Sequence, residues 1–301
     1  MEQTKKKFGI ENPEYTFYII RRKDDKAGLF SIILVFLEHI NYALKNGYVP
    51  IIDMKNYNNM YLDDDKKGKN NAWEYYFLQP NNYNFGLEDA YKSKKVILSN
   101  GFGVKEEKIE ASINFLNTDI FAKYRSIYKE SIHVNDQIYN YLNQEKKKLF
   151  GKKKNILGVF CRGTDYTTLK PFGHPIQPEM DEIFNKVNEL KNKWKCENIY
   201  LCTEDTNIIK EFKIKYRDSV MITDRSFVNY NEKKLLADYS LERENDKYYQ
   251  GLDYLTQIYI LSQCDYLLAS LASGSVAVLL MENNFKDKYI WDLGFYGIDE
   301  K

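Results

Sequence analysis

Short apolar runs alternate with amphipathic segments from one end of the chain to the other, which predicts an α/β protein with mostly parallel sheets. Two further observations shape that expectation. The length, 301 residues, exceeds what one hydrophobic core usually fills and suits two domains of about 100 to 150 residues. In the second half, each apolar run is followed at once by polar or small residues, as at the ligand-binding edge of an open parallel sheet. The expected architecture is two Rossmann-like domains facing each other across a cleft.

In the first half, YTFYII (15–20) reads as a strand, GLFSIILVFLEHINYALKNG (28–47) as a helix closed by Gly47, YVPIID (48–53) as a second strand and KKVILS (94–99) as a third. Between them, the Asp-, Lys- and Asn-rich stretch 57–71 reads as a surface loop. Residues 117–150 are helix-rich, with Asn135 and Asp136 placed to cap a second helix, and end in EKKKLFGKKKN. The domain boundary is expected there, with residues 1–150 as one domain and 151–301 as the other, the last residues packing back on the first. The second half runs ILGVFCR (156–162), helix 177–195, NIYLCTE (198–204), helix 205–217, VMITD (220–224), helix 250–264, YLLAS (266–270), helix 274–284 and YIWDL (289–293).

Composition excludes several classes. Hydrophobic residues make up 44% and charged residues 29%, and the net charge is only +1, which argues against a protein that coats nucleic acid. The KKK runs at 5–7, 146–148 and 152–154 read as solvated helix ends and a linker, allowing at most peripheral contact with a membrane. Four cysteines without C-x-x-C spacing suit reduced thiols, and the N-terminus lacks the apolar core of a signal peptide. The most apolar helix is interrupted by Glu38 and His39, so a cytoplasmic protein is expected.

The chemistry-bearing residues cluster after strands. Arg162, Gly163, Thr164 and Asp165 follow the first strand of the second half, Thr203, Glu204 and Asp205 the second, and Ser270 to Ser275 (SLASGS) the last but one. SLASGS opens a helix, where small residues let backbone N–H groups approach a phosphate that the helix dipole also favours. Arg162 adds a permanent charge and a forked donor suited to a diphosphate, unless it forms an internal ion pair with Asp165. Asp253 and Gln257 lie four apart on one helix face, where they reach a base or ribose or form a polar outer face. Asp205 is read first as the cap of the following helix. His174, in KPFGHPIQP, is a cleft candidate or a solvated loop histidine. No His, Cys and carboxylate cluster has metal spacing, DDD at 63–65 follows no strand, and no G-x-S-x-G element is present, so neither a metal nor a cofactor is expected.

At these residues the chain resembles the fucosyltransferase superfamily of inverting glycosyltransferases with the GT-B fold, which includes bacterial α-1,2-fucosyltransferases and the chitin-oligosaccharide and core α-1,6-fucosyltransferases. FCRGTD, continuing to GHPIQPEM, is similar to the family's H-x-R-R-x-D and the HPI segment after it. IYLCTED is similar to a strand ending in T-D-D, and LSQCDYLLASLASGSVAVLLM to the stretch whose serines bind the donor β-phosphate. Together these cover about residues 156–284, and helix 28–47 resembles the glycine-led first helix. The resemblance implies that Arg162 neutralises the leaving diphosphate, that Ser273 and Gly274 hold the β-phosphate and that Asp165 braces the loop. It also implies fucose or a related sugar moved from a nucleotide diphosphate donor, GDP-fucose first, to a glycan or lipid-linked glycan in surface-polysaccharide synthesis. The alternative is a non-catalytic nucleotide-sugar or glycan-binding protein of the same fold. The chain departs from the pattern at Phe160 (histidine), Gly163 (the second arginine), Gln257 (the acidic residue that reads guanine) and Lys170 (the glutamate proposed as base in the core enzymes). For the base, Asp165, Asp24 and Asp25 stay open, the last two beside the helix start at Gly28.

Overall fold

A computed structural model describes residues 4–104, 118–224, 240–281 and 284–298. Arg225, which follows VMITD (220–224) in the sequence, lies outside them, and the side chains of Thr164 and Asp165 lie outside the described groups. The packing falls into two compact units. One takes the described residues before 105, those of 118–139 and Ser240–Leu252; the other takes 140–224 and 253–298. The division therefore crosses helices instead of falling at 150/151. It does so because the greater parts of two helices, from 140 and from 253 on, belong with the second sheet.

The first unit contains β1 (Thr4–Lys6), β2 (Phe17–Ile20), β3 (Val49–Ile52) and β4 (Val96–Leu98), in the order β1-β4-β2-β3. β2 is parallel to both β3 and β4, while β1 runs antiparallel to β4 along the edge. All four residues of β2 are buried, as suits a central strand covered on both faces. Helix α1 (Leu29–Lys45) joins β2 to β3, and α2 (Leu87–Tyr91) precedes β4. Phe17, Ile19, Val49 and Ile51 pack with Leu87 and Ala90 on one side of the sheet. Helix α3 (Thr118–Ser131) follows, and α4 (Asp136–Phe150) starts where Asn135 Oδ1 accepts from the N–H of Ile138, the expected cap.

The polar residues that interrupt α1 hold a loop. Glu38 Oε2 accepts from Val104 N, and His39 lies between Tyr18 and Phe102. Because the Phe102 carbonyl can only accept, Nε2 of His39 carries the proton and Nδ1 accepts from the Tyr18 hydroxyl. Burial lowers its pKa to about 4, so the ring is neutral at neutral pH.

The second unit carries β5 (Ile156–Phe160), β6 (Asn198–Cys202), β7 (Val220–Met221), β8 (Tyr266–Ser270) and β9 (Asp287–Trp291), with α5 (Thr164–Thr168), α6 (Met180–Trp194), α7 (Thr206–Tyr216), α9 (Ser273–Met281) and, from Asp253 on, α8 (Asp246–Ser262). The five strands are all parallel, in the order β7-β6-β5-β8-β9. The chain starts in the middle at β5, moves outward through β6 and β7, then returns to the other side at β8. That reversal puts a topological switch point between β5 and β8, where the connections leave toward opposite faces and open a crevice. Leu157 and Val159 face α6 and α7 in the main core. On the other side, a Cβ at Gly158 would meet Leu261 at 2.6 Å, so the glycine is what lets α8 press onto the central strand.

The described chain does not end in a free tail. Gly173 N donates to Tyr296 O, Tyr296 N to His174 O and Ile176 N to Gly294 O, so residues 294–296 pair with the 173–176 loop of the second unit.

Candidate functional site at the β5/β8 switch point

The register Phe160↔Cys202 makes the two-residue extensions beyond β5 and β6 neighbours. Arg162 consequently meets Glu204, with Nη1 3.2 Å from Oε1 and the two side chains 13% and 9% exposed. The same oxygen accepts from the backbone N–H of Gly163 at 3.0 Å. The guanidinium carbon lies 4.5 Å from the Tyr166 ring centroid, a cation–π contact from α5. The arginine is thus fixed from two sides at the end of the central strand. Sheet pairing brings in Glu204 as an internal partner, while the pair with Asp165 suggested by nearness in sequence lies outside the described side chains.

Gly163 is tightly enclosed. A Cβ there would lie 2.6 Å from Asp205 Oδ2 and 2.8 Å from Asp205 Cβ. Asp205 occupies that space because it caps α7, its Oδ1 accepting from Asn207 N at 2.7 Å. Thr203 Oγ1 accepts from Asp205 N and completes the turn.

Across the switch point, β8 runs into α9 through Leu271 and Ala272. Ser275 Oγ accepts from Ala272 N at 3.0 Å and donates to Ala272 O at 2.9 Å, an internal staple of the turn. The Ser270 hydroxyl donates to Gln177 Oε1, and Gln177 Nε2 donates to Leu271 O at 3.1 Å and Pro175 O at 3.0 Å. Ser270, Ser275 and Gln177 are all buried. Half-buried Ser273 begins α9, and a Cβ at Gly274 would meet Tyr254 Oη at 2.7 Å and Phe160 Cε2 at 3.0 Å. The start of α9 therefore sits directly against the end of β5. Its first backbone N–H groups, which no helical carbonyl can satisfy, belong to the same crevice as Arg162.

Gln257 is 2% exposed, and its Nε2 donates to Thr203 O at 3.0 Å, bracing β6 against α8. Asp253, one turn earlier, is half-buried. His174 is exposed, and its ring meets Tyr166 edge-on at 5.0 Å, extending the stack that begins at Arg162. Asp24, Asp25 and Gly28 lie in the first unit. Both aspartates are exposed, Asp24 Oδ1 accepts from Lys26 N, and Gly28 is the N-cap residue of α1.

Sequence reasoning passed over Gln177, which links the HPI loop to the β8–α9 turn. The available signal was Pro178, which disfavours helix at the residue before it and leaves Gln177 ahead of α6.

Residues 126–290, more than half of the chain, match the family described as alpha-(1,6)-fucosyltransferase N- and catalytic domains. The chain belongs to this fucosyltransferase family. It is a glycosyltransferase with an α/β fold of mostly parallel sheets, like the GT-B fucosyltransferases it resembles. The structure of POFUT1 in complex with GDP-fucose aligns with a TM-score of 0.52 at 10% identity, covering 96% of this chain and 100% of that one. A mutant of Arabidopsis thaliana FUT1 in complex with GDP aligns with a TM-score of 0.52 at 11% identity, covering 94% and 71%. Fucosyltransferase NodZ from Bradyrhizobium aligns with a TM-score of 0.48 at 14% identity, covering 84% and 88%. In this fucosyltransferase-family chain, the arginine and the small-residue turn expected to hold a diphosphate flank one switch point.

Proposed function

We propose that the protein transfers fucose, or a closely related sugar, from GDP-fucose to a glycan hydroxyl, with inversion, without a metal, and in cytoplasmic synthesis of a surface polysaccharide. The observation that carries the reading is Arg162, a guanidinium braced by Glu204 and Tyr166 beside the start of α9. Family membership supports it, as does the likeness in fold to proteins crystallised with GDP or GDP-fucose.

In the reaction, the acceptor oxygen bonds to the anomeric carbon while the bond from that carbon to the diphosphate breaks, its electron pair leaving with GDP. Negative charge grows on the leaving group, where a preorganised cation and backbone donors stabilise it. Arg162 and the first N–H groups of α9 fill those roles and replace a metal. Ser270, Ser275 and Gln177 keep the turn in shape, and Asp253 is the polar group of α8 assigned to the nucleoside. The acceptor proton goes to a carboxylate, with Asp165, Asp24 and Asp25 as the candidates.

Incubation with GDP-fucose and a panel of glycans tests the proposal through GDP release and a gain of one deoxyhexose in the acceptor. Turnover with another nucleotide sugar alone would change the donor assignment. Two observations favour a second reading, a non-catalytic nucleotide-sugar or glycan-binding protein: Glu204 offsets the charge of Arg162, and Lys170 stands where the core enzymes carry the proposed base. A thermal shift with GDP, without turnover on any donor and acceptor, would select it.

A further inference from the structure

The two edges of the second sheet are oppositely charged, although the whole chain has a net charge of only +1. At the carboxyl edge, the three residues after each strand supply Glu204, Asp205, Asp224 and Asp292 against Arg162. At the amino edge the balance reverses. The last turns of α6 and α7 each carry two lysines, and that of α4 carries Lys147 beside Lys148, which pairs with Asp224 at 3.7 Å. The loops leading into the strands add Lys152–Lys154 before β5, Lys195 before β6, Arg217 before β7 and Lys286 before β9. The acidic residues of those described loops are Glu197, Asp218 and Asp265, the last paired with Lys286 at 3.0 Å.

One or two cations per helix end are what the helix dipole favours. The run continues beyond that need. Lys153 reaches back to Leu149 O at the end of α4, but Lys152, Lys154 and Lys195 are exposed and have no carboxylate partner among the described residues. Lys152–Lys154 and Lys195 line one depression of about 610 Å³, with Glu197 as its only carboxylate. Because β5, β6 and β7 are adjacent and parallel, the basic groups before them form a continuous row. On the same edge, in the last turn of α7, Ile214 stands between Lys213 and Lys215 and is 79% exposed. An exposed branched apolar side chain among lysines suits a surface that is anionic outside and hydrocarbon beneath better than it suits a nucleic acid.

We propose that this amino edge docks on an anionic phospholipid bilayer, with the lysines meeting headgroup phosphates and Ile214 entering the boundary below them. Among the described residues no helix is long and apolar enough to cross a membrane. The attachment is therefore peripheral and reversible, and it lies on the edge opposite the switch point, so a docked molecule keeps its donor crevice open. The inference stands apart from the sugar and acceptor assigned above.

The experiment is flotation of the full chain with vesicles of phosphatidylcholine alone or with about one-third phosphatidylglycerol. The expected result is partition onto the anionic vesicles only, falling as sodium chloride rises from about 0.05 to 0.5 M. Each lysine at an anionic surface strengthens binding about fivefold, so Lys152→Gln, Lys154→Gln and Lys195→Gln together should weaken partition about a hundredfold. The thermal shift with GDP should stay unchanged, which reports an intact fold. Ile214→Ser, which leaves the charge alone, should weaken partition several-fold. Partition undiminished by the triple variant, equal partition on uncharged vesicles, or retention on heparin with none on anionic vesicles would overturn the proposal.

Discussion

Replacing Arg162 by alanine tests the site most sharply, because the side chain has both a structural partner and a proposed chemical one. Truncation removes the guanidinium from the Glu204 carboxylate, which is 9% exposed and also accepts from the Gly163 N–H. Breaking a buried pair from one side costs about 3–5 kcal/mol. With 13% of the arginine still in contact with solvent, the lower end, about 3 kcal/mol, is expected. In a unit of this size that lowers Tm by about 6–12 °C. The chemical loss is of similar size but different origin. Removing a preorganised donor to the leaving diphosphate should reduce turnover at least about a hundredfold, or about 3 kcal/mol.

The two contributions separate in a double variant. In Arg162→Ala with Glu204→Gln, the neutral amide still accepts from Gly163 N but strands no charge, so most of the lost Tm should return. Turnover should not return. Arg162→Lys should recover only part of the rate, since an ammonium keeps the charge without the fork that spans two phosphate oxygens. Calorimetry and GDP-release kinetics on all variants, normalised to folded protein, decide the matter. If activity follows stability back to the wild-type level in the double variant, Arg162 is a structural brace and the leaving-group role is refuted.

Three further outcomes are expected. Gln177→Leu removes the partners of the Ser270 hydroxyl and the Leu271 carbonyl, which should destabilise by about 1–3 kcal/mol and weaken GDP binding several-fold by calorimetric titration; unchanged affinity would show that the β8–α9 turn keeps its shape unaided. His39, held near 4 in the fold against 6.5 unfolded, makes the unfolded chain bind more protons between those values, so stability should rise with pH across that window by up to about 3 kcal/mol and level off above it. His39→Leu should remove that part of the slope in urea titrations from pH 4.5 to 7.5, and parallel curves would contradict the neutral buried ring. Turnover should survive EDTA, while abolition by chelation and rescue by Mg²⁺ or Mn²⁺ would end the arginine-only account of leaving-group stabilisation.

Local signals in the sequence carried the strands and long helices well. β5, β6 and β8 are continuous or nearly continuous apolar runs in a fully parallel sheet, β9 starts two residues before the expected Tyr289 at the charged pair Asp287–Lys288, and α1 and α6 show a clear apolar stripe. The elements that escaped lack such signals. β1 is the exposed tripeptide TKK, held by backbone pairing to β4, and α5 is the five-residue TDYTT. Helix α8 starts four residues before the expected Gln250, at Asp246, whose carboxylate gathers Leu241 N and Arg243 Nε. At the site, the polar strand ends were legible but their pairing was not. Arg162 and Glu204 are 42 positions apart in sequence, and only the parallel register of β5 with β6 makes them neighbours.

That register also accounts for the departure at Gly163. The space a second arginine would need is filled by Asp205, which cannot move without uncapping α7, so the cap and the glycine require each other. The loop after β5 is left with one cation, and the carboxylate that orients it also offsets its charge. A diphosphate arriving at the switch point would compete with Glu204 for the guanidinium and would draw the rest of its stabilisation from the first turn of α9. On the proposed reading, leaving-group binding is shared between a side chain and a helix end, and Gln177 and Ser275 hold that helix end by hydrogen bonds. Glu204→Gln alone should then tighten GDP binding while loosening the arginine, whereas a second arginine at 163 would first have to displace the α7 cap.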